Sequence, residues 1–379
     1  MGFLKKLLYI IILLIVSACS ASLIKLNVKL PENLHPVFGT TSHRSFYYPV
    51  TLSDSLKFLW RANTYGGFNN SSVVVYDSII FVGELSGRVY SFNMNTGKQL
   101  GVIKTKGAVY SSPLLTNFRV YFPLVKKEKK LTEFIVYDFY SGKEVYIIEI
   151  EDRIVNQLMY DEDAVYLTAE DGTIYKYSLE MKLIWRTETN RNISCVPALL
   201  GNEIIIGNEA GEIIKIDKTS GKILLRKKIS SNISSGITFE KEAIYFGDDE
   251  GFLFSLNPKN LELIFKTKTS SKILMNPSTD LDNIYVGNLR GDFYCIEKLS
   301  GKILWSKNFK GSFNSTPVIS SNKLIVPDSF KAYWILEKTT GEVVKKIELE
   351  GRAKLSPVLI DKKLFIGYDD GVLEAYEFQ

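Results

Sequence analysis

From Leu56 to the C-terminus, apolar residues come in short blocks broken by Gly, Asn, Asp and Ser. The blocks have the length and alternation of β-strands, as in Arg88-Val89-Tyr90-Ser91-Phe92. They also recur. The stretches Ile204–Leu224, Ile244–Ile264 and Ile284–Leu304 share one pattern, with Gly207, Gly247 and Gly287 spaced 40 apart and Gly367 two periods further on. A unit of that size cannot bury its own apolar face and must stack on its neighbours. The period therefore predicts a radial array of small sheets.

Each unit opens with small polar residues and Pro, as in Ser111-Ser112-Pro113, Asn276-Pro277 and Ser356-Pro357, and an apolar strand follows. A second strand ends in Gly, as at Gly83 or Gly367. Four residues later another Gly opens the third strand, at Gly87, Gly211, Gly251, Gly291 and Gly371. Glycine near a tight hairpin supplies positive φ without steric cost. The third strand runs into an acid or Asn, two residues, Ser or Thr, then Gly. This turn stands at Asn93 to Gly97, Asp138 to Gly142, Asp217 to Gly221, Glu297 to Gly301 and Glu337 to Gly341. The acid or Asn is expected to accept turn amides, and the Gly to take left-handed geometry. Two units depart: Asn257-Pro258-Lys259-Asn260, where Asn260 can turn left-handed, and Ser178-Leu179-Glu180-Met181-Lys182.

Second strands near Phe81, Tyr121, Tyr166, Ile205, Tyr245, Tyr285, Ile325 and Phe365 make eight units. The last ends at Gln379 with no residues left for a fourth strand. Lys57-Phe58-Leu59-Trp60-Arg61 is a fourth strand with no first three before it. The two fragments complete each other, and pairing them removes the free edges of an open array. The expected fold is all-β: an eight-bladed β-propeller of four-stranded antiparallel blades over residues 56–379, closed by pairing the N-terminal strand with the last blade. A seven-bladed ring with one degenerate unit is the alternative.

Ahead of the repeat, residues 1–18 read as a signal peptide: Lys5 and Lys6, an apolar run from Leu7 to Val16, then small Ser17 and Ala18. The run is too short for a confident membrane span. Val16-Ser17-Ala18-Cys19 resembles the lipobox of bacterial lipoproteins, which implies that Cys19 is the site of lipid attachment. Ser20 resembles the class sorted to the outer membrane. Residues 19–55 show no clean periodicity and read as a lipidated tether, with His35 and His43 as surface residues that make a poor metal pair.

Composition narrows the function. Hydrophobic residues make up 45% of the chain, rich in Tyr, Phe, Ile and Val, which suits sheet. Cleavage after Ala18 removes the charges of Lys5 and Lys6 from a net +5, leaving +3, and no basic stripe points to nucleic acid. After Cys19 only Cys195 and Cys295 remain, too far apart in the repeat to bridge and read as buried small apolar residues. The clusters Asp248-Asp249-Glu250 and Asp369-Asp370-Gly371 sit in expected turns and lack calcium-loop spacing. With no His in the blades and no phosphate-binding Gly loop, a scaffold is expected rather than an enzyme, with no catalytic residue, metal or cofactor.

The acid-x-x-Ser/Thr-Gly turn and the strand after it, with Trp in Leu183-Ile184-Trp185 and Ile303-Leu304-Trp305, resemble the repeat of pyrroloquinoline-quinone-type propellers. With the lipobox and tether, the chain is similar to the propeller lipoproteins of the outer-membrane β-barrel assembly machinery. That resemblance implies a membrane-anchored adaptor at the periplasmic face of the outer membrane. Its partners would be a barrel assembly protein and unfolded barrel substrates. Quinone-dependent dehydrogenases of this fold carry quinone and Ca²⁺ in the central channel, an Asp base and often adjacent cysteines, and this sequence has no adjacent cysteines. A surface lipoprotein that binds another polymer, such as polysaccharide, is a further alternative.

Second-to-third strand turns and blade-to-blade connections share one face of a propeller. Two places there depart from the regular pattern. Lys126, Lys127, Lys129 and Lys130 lengthen one turn and offer a cationic contact to an acidic partner or anionic headgroups. The connections Thr187 to Ile193 and Lys227 to Ser235 match, by position, those implied to meet the barrel partner. Arg191 is the first candidate there, since Arg favours interface hot spots.

Overall fold

The repeat folds as its pattern dictates: each unit is one four-stranded antiparallel sheet, its strands in sequence order from the ring axis outward. The structure, a computed structural model, describes residues 23–379. In blade 4 the strands are Ala198–Leu200, Glu203–Gly207, Glu212–Asp217 and Ile223–Lys228. The first three are almost wholly buried between neighbouring blades, whereas the fourth is largely exposed. Eight such sheets form an eight-bladed propeller. Among the described residues no helix is long and apolar enough to cross a membrane.

Blade 8 is assembled from both ends of the chain. Val358–Ile360, Lys363–Tyr368 and Val372–Phe378 are completed by Leu56–Asn63, with Phe58 opposite Tyr376 and Arg61 opposite Glu374. The seven-bladed alternative is excluded.

Glycine serves two different purposes in the unit. Gly87, Gly211, Gly251, Gly291 and Gly371 take φ of +72° to +84°, as their turns require. The glycines that end the second strands lie in ordinary extended backbone and are needed for close approach instead. A Cβ on Gly83 would stand 2.5 Å from Val109, and one on Gly287 2.7 Å from Phe313. In the outer turns, Asp217 Oδ1 accepts the Ser220 amide at 2.7 Å and Asn93 Oδ1 that of Thr96 at 3.0 Å. The longer Glu337 reaches away from its turn to Lys323, 2.6 Å distant. In the two departing units it is Leu261 (φ +54°) and Met181 (φ +61°), not Asn260, that turn left-handed.

The expected tether needs correction where it is described. Residues 23–55 are a strap across the ring. Ile24 is buried against the outer strand of blade 1, and Leu34–His35 adds a fifth, innermost strand to that blade. The strap then meets the inner strand of one blade after another. Leu115 N donates to Pro36 O, Leu199 N to Ser42 O, Phe239 N to His43 O, Thr279 N to Ser45 O and Ile319 N to Phe46 O, all between 2.8 and 3.0 Å. Its contacts fall at the ends of those strands that carry the first-to-second strand turns, so it closes one mouth of the central channel. His35 and His43 are half-buried in this strap rather than surface residues, and burial lowers the pKa of both. Residues 19–22 of the expected tether lie outside the described residues.

Arg44 fixes the middle of the strap. It is fully buried, with Nε donating to Pro197 O (2.7 Å), Nη1 to Phe38 O (2.9 Å) and Nη2 to Leu158 O (3.0 Å). No carboxylate is among these partners, and burial pushes its pKa down to about 9. A guanidinium spreads its charge over a planar fork, so three carbonyl dipoles can hold it.

Candidate functional site

The opposite mouth of the channel stays open as a funnel of about 420 Å³, floored by Phe38 of the strap. Its wall comes from the small polar residues that open each repeat. They point at the axis because the innermost strands begin there. Asn70, Asn156, Gln157, Asn276, Asn314 and Thr316 lie in this wall. Their amides tie adjacent connections together: Gln157 Nε2 donates to Asn70 O at 2.9 Å while Gln157 Oε1 accepts Ser112 N at 2.8 Å. Asn156 Nδ2 donates to Ile193 O at 3.1 Å and Asn276 Nδ2 to Ile237 O at 3.3 Å. Sequence reasoning treated these residues only as strand openings. Their recurrence before each inner strand was the signal that they share one wall.

Among the described residues the charged side chains in the wall are Arg153 and Glu170, which pair with each other at 3.4 Å. A Ca²⁺-bound quinone needs several converging carboxylates and a free acid as base. Among the described residues no three His, Cys, Asp or Glu side chains converge to hold a metal. The one carboxylate in this wall, Glu170, is taken by Arg153, so the wall offers that cofactor neither an anionic ligand set nor a free base. Cys195 is buried in the connection before blade 4, its Sγ 3.0 Å from Gly207 N, and burial pushes its thiol up to about 12. Cys295 is likewise free and buried in blade 6.

The candidate binding residues gather on the funnel face, in the sector of blades 2 to 4. Lys126 pairs with Glu133 at 2.5 Å and Lys130 with Asp152 at 3.2 Å, leaving Lys127 and Lys129 free in solvent beyond the turn. Asp152 also accepts the Asp171 amide at 3.1 Å, which links the lysine turn to the adjoining turn of blade 3. Arg191 projects from the next connection. Ile193 N to Glu170 O (3.1 Å) and Glu209 N to Asn192 O (3.0 Å) fasten that loop at both sides, and Arg191 is exposed at its tip. Lys127, Lys129, Lys130, Arg153 and Arg191 thus form an arc of cations, interspersed with the acids Glu128, Asp152 and Glu170. Cys19 lies outside the described residues.

The model of a family described as outer membrane protein assembly factor BamB matches residues 129–232 and 264–377, more than half of the chain. The chain belongs to the BamB family. BamB from Moraxella catarrhalis superimposes with a TM-score of 0.72 at 16% identity, covering 86% of this chain and 100% of that one. The computationally designed protein Ika8 gives 0.75 at 15% identity, covering 85% of this chain and 99% of that one. A quinohemoprotein alcohol dehydrogenase from Comamonas testosteroni gives 0.74 at 11% identity, covering 91% and 80%. At such identities the three likenesses show the fold, which a BamB, a design and a dehydrogenase share. No curated protein matches the sequence.

Proposed function

We propose that this BamB-family chain is a non-catalytic adaptor, anchored through lipid on Cys19 at the periplasmic face of the outer membrane. It assists the assembly and insertion of β-barrel proteins there. The family match carries the reading. The funnel supports it, because among the described residues its wall is mostly amides and hydroxyls and its one Arg and one Glu are spent on each other. The cationic arc of blades 2 to 4 offers a barrel assembly protein a fixed, charged docking edge. Arg191 stands exposed at its blade 4 end, on a loop that needs no ordering on binding. The outer strands of blades 3 to 5 each expose an apolar pair, Leu183 and Ile184, Ile223 and Leu224, Leu263 and Ile264. An extended barrel segment can add to such an edge as a further strand.

The test is recovery of an outer-membrane barrel protein with the native chain in mild detergent. Arg191→Glu should reduce that recovery severalfold. Unchanged recovery removes Arg191 from the interface, and a native chain that captures no barrel protein overturns the adaptor reading.

A further inference from the structure

Residues 23–30 lie on the face opposite the funnel, at the outer edge of blades 1 and 2. Leu23 and Ile24 press on Gly101 in the outer strand of blade 1, where a Cβ would stand 3.0 Å from Leu23 O and 2.8 Å from Ile24 Cα. Leu26 N donates to Phe139 O at 2.7 Å, and the Lys25 stem covers Gly142 in the outer turn of blade 2. Tyr76 Oη donates to Lys29 O at 2.6 Å, after which the strap turns towards the axis.

Two kinds of side chain stand out in solvent along this edge, beside the polar Asn27 and the acids Glu32 and Glu144. Leu23, Leu30 and Tyr140 expose 61%, 61% and 52% of their surface. Lys25, Lys29 and Lys143 are exposed beside them. The edge is continuous: Tyr140 lies 5.5 Å from Phe118, and Phe118 lies 6.5 Å from Tyr76, beneath Lys29. Aliphatic side chains, a tyrosine with a polar tip and lysines on long stems are what a lipid headgroup layer accommodates. Glu32 and Asp77 border the same edge, lining one hollow with Lys29 and Leu30, and Asp77 Oδ1 takes the amides of Glu32 and Asn33.

We infer that this edge is the surface on which the propeller rests on the bilayer, with phospholipid headgroups as its occupant. The inference rests on the lipid anchor proposed above. Three residues separate Cys19 from Leu23. Even fully extended, that chain reaches at most roughly 14 Å from the Leu23 contact. The anchor is thereby held within that distance of this edge, and with the edge on the bilayer the funnel-bearing face is the one turned away from it. The funnel, Arg191 and the lysine turn then face away from the membrane. An acidic protein surface, rather than headgroups, becomes the occupant of Lys127 and Lys129.

Cys195 and Cys295 are buried, so single cysteines introduced on the full-length lipidated protein can carry the only fluorophore. The probe membrane is a vesicle of phosphatidylethanolamine and phosphatidylglycerol with a nitroxide on the headgroup. Labels at Leu30 and Tyr140 should be quenched severalfold more than labels at Ser231 and Phe330 on the funnel face. Equal quenching, or stronger quenching at Ser231 and Phe330, overturns the inference. Changing Lys25, Lys29 and Lys143 to Glu should at least halve the quenching at Tyr140 while the protein stays sedimented through its anchor. Unchanged quenching there also counts against the surface. Cys19→Ala separates the two claims. If that chain still sediments with vesicles, the anchor fails, and its own labelling pattern still decides the surface.

Discussion

Ile24 lies on Gly101, and together with the Lys25 stem on Gly142 it takes the place that a tryptophan fills elsewhere in the ring. Gly101 stands opposite Ser91, just before the bulge, as Trp185 stands opposite Lys176 and Trp305 opposite Cys295. Those indoles press on a turn glycine of the next blade, Gly221 and Gly341, and donate to Lys218 O (3.1 Å) and Lys338 O (3.2 Å). Blade 1 has no aromatic to lend, and the strap supplies Ile24 and the Lys25 stem instead. Gly101→Trp should expel residues 23–26 and cost about 1–3 kcal/mol, the usual range for overpacking. Trypsin should then cut faster at Lys25 and Lys29. Equal cleavage rates in the two proteins would show that the strap does not depend on this contact.

Arg44→Leu isolates the centre of the strap. It strands Pro197 O, Phe38 O and Leu158 O, each costing about 1–3 kcal/mol when buried unpaired. Removing a buried cation returns part of that, so the expected net loss is about 3 kcal/mol. Arg44→Lys should fall between, because one ammonium cannot span three carbonyls in a planar fork. Thermal unfolding midpoints in the order native, Lys, Leu would confirm the account. A Leu variant as stable as the native chain would refute it.

The ring was legible in the sequence because its partners are periodic. Each blade buries the same positions against the same neighbours, so Gly207 and Gly247 announce each other, and the orphan strand at Trp60 announces the closure. The strap was not legible, for the opposite physical reason. It meets a different blade every few residues, and each contact uses whatever group the local geometry needs: an amide at Tyr48, a carbonyl at His43, a guanidinium at Arg44. Such a segment has no period of its own. Phe38, Phe46, Tyr47 and Tyr48 were the available hint, being more aromatic than a solvated tether warrants. The funnel wall was half legible: its residues were singled out as repeat openings, but only ring closure turns them towards one axis.

Strap burial also makes stability depend on pH in a set direction. Burial holds the His35 and His43 pKa values below the ordinary 6.5, against smaller opposing pulls from Asp361 and Glu240. The unfolded chain therefore takes up protons before the folded one as pH falls. This contribution is complete above about 6.5 and is lost as pH drops below it. Asp280 and Asp217, whose folded pKa values lie below 3.8, act only in more acidic solution. Between pH 7.5 and 5.5 the unfolding midpoint should fall, and a chain with His35→Gln and His43→Gln should show a flatter profile. Parallel profiles would remove the two histidines as the cause.

The exposed apolar pairs of the outer strands allow a separation of folding from substrate contact. Ile223 and Leu224 begin the outermost strand of blade 4, which has a neighbour on one side only. Both are exposed, so changing them to Lys should alter folding stability by no more than about 0.5 kcal/mol. An extended barrel segment added at that edge would cover both side chains. Losing ~1 kcal/mol of apolar contact from each should weaken its binding by roughly tenfold or more. Fluorescence anisotropy of a labelled barrel-strand peptide against the native and doubly substituted chains measures this directly. Lysine also repels further strands from an edge, so the effect should exceed that of Ile223→Ala with Leu224→Ala. If both variants bind as the native chain does, the blade 4 edge does not receive substrate.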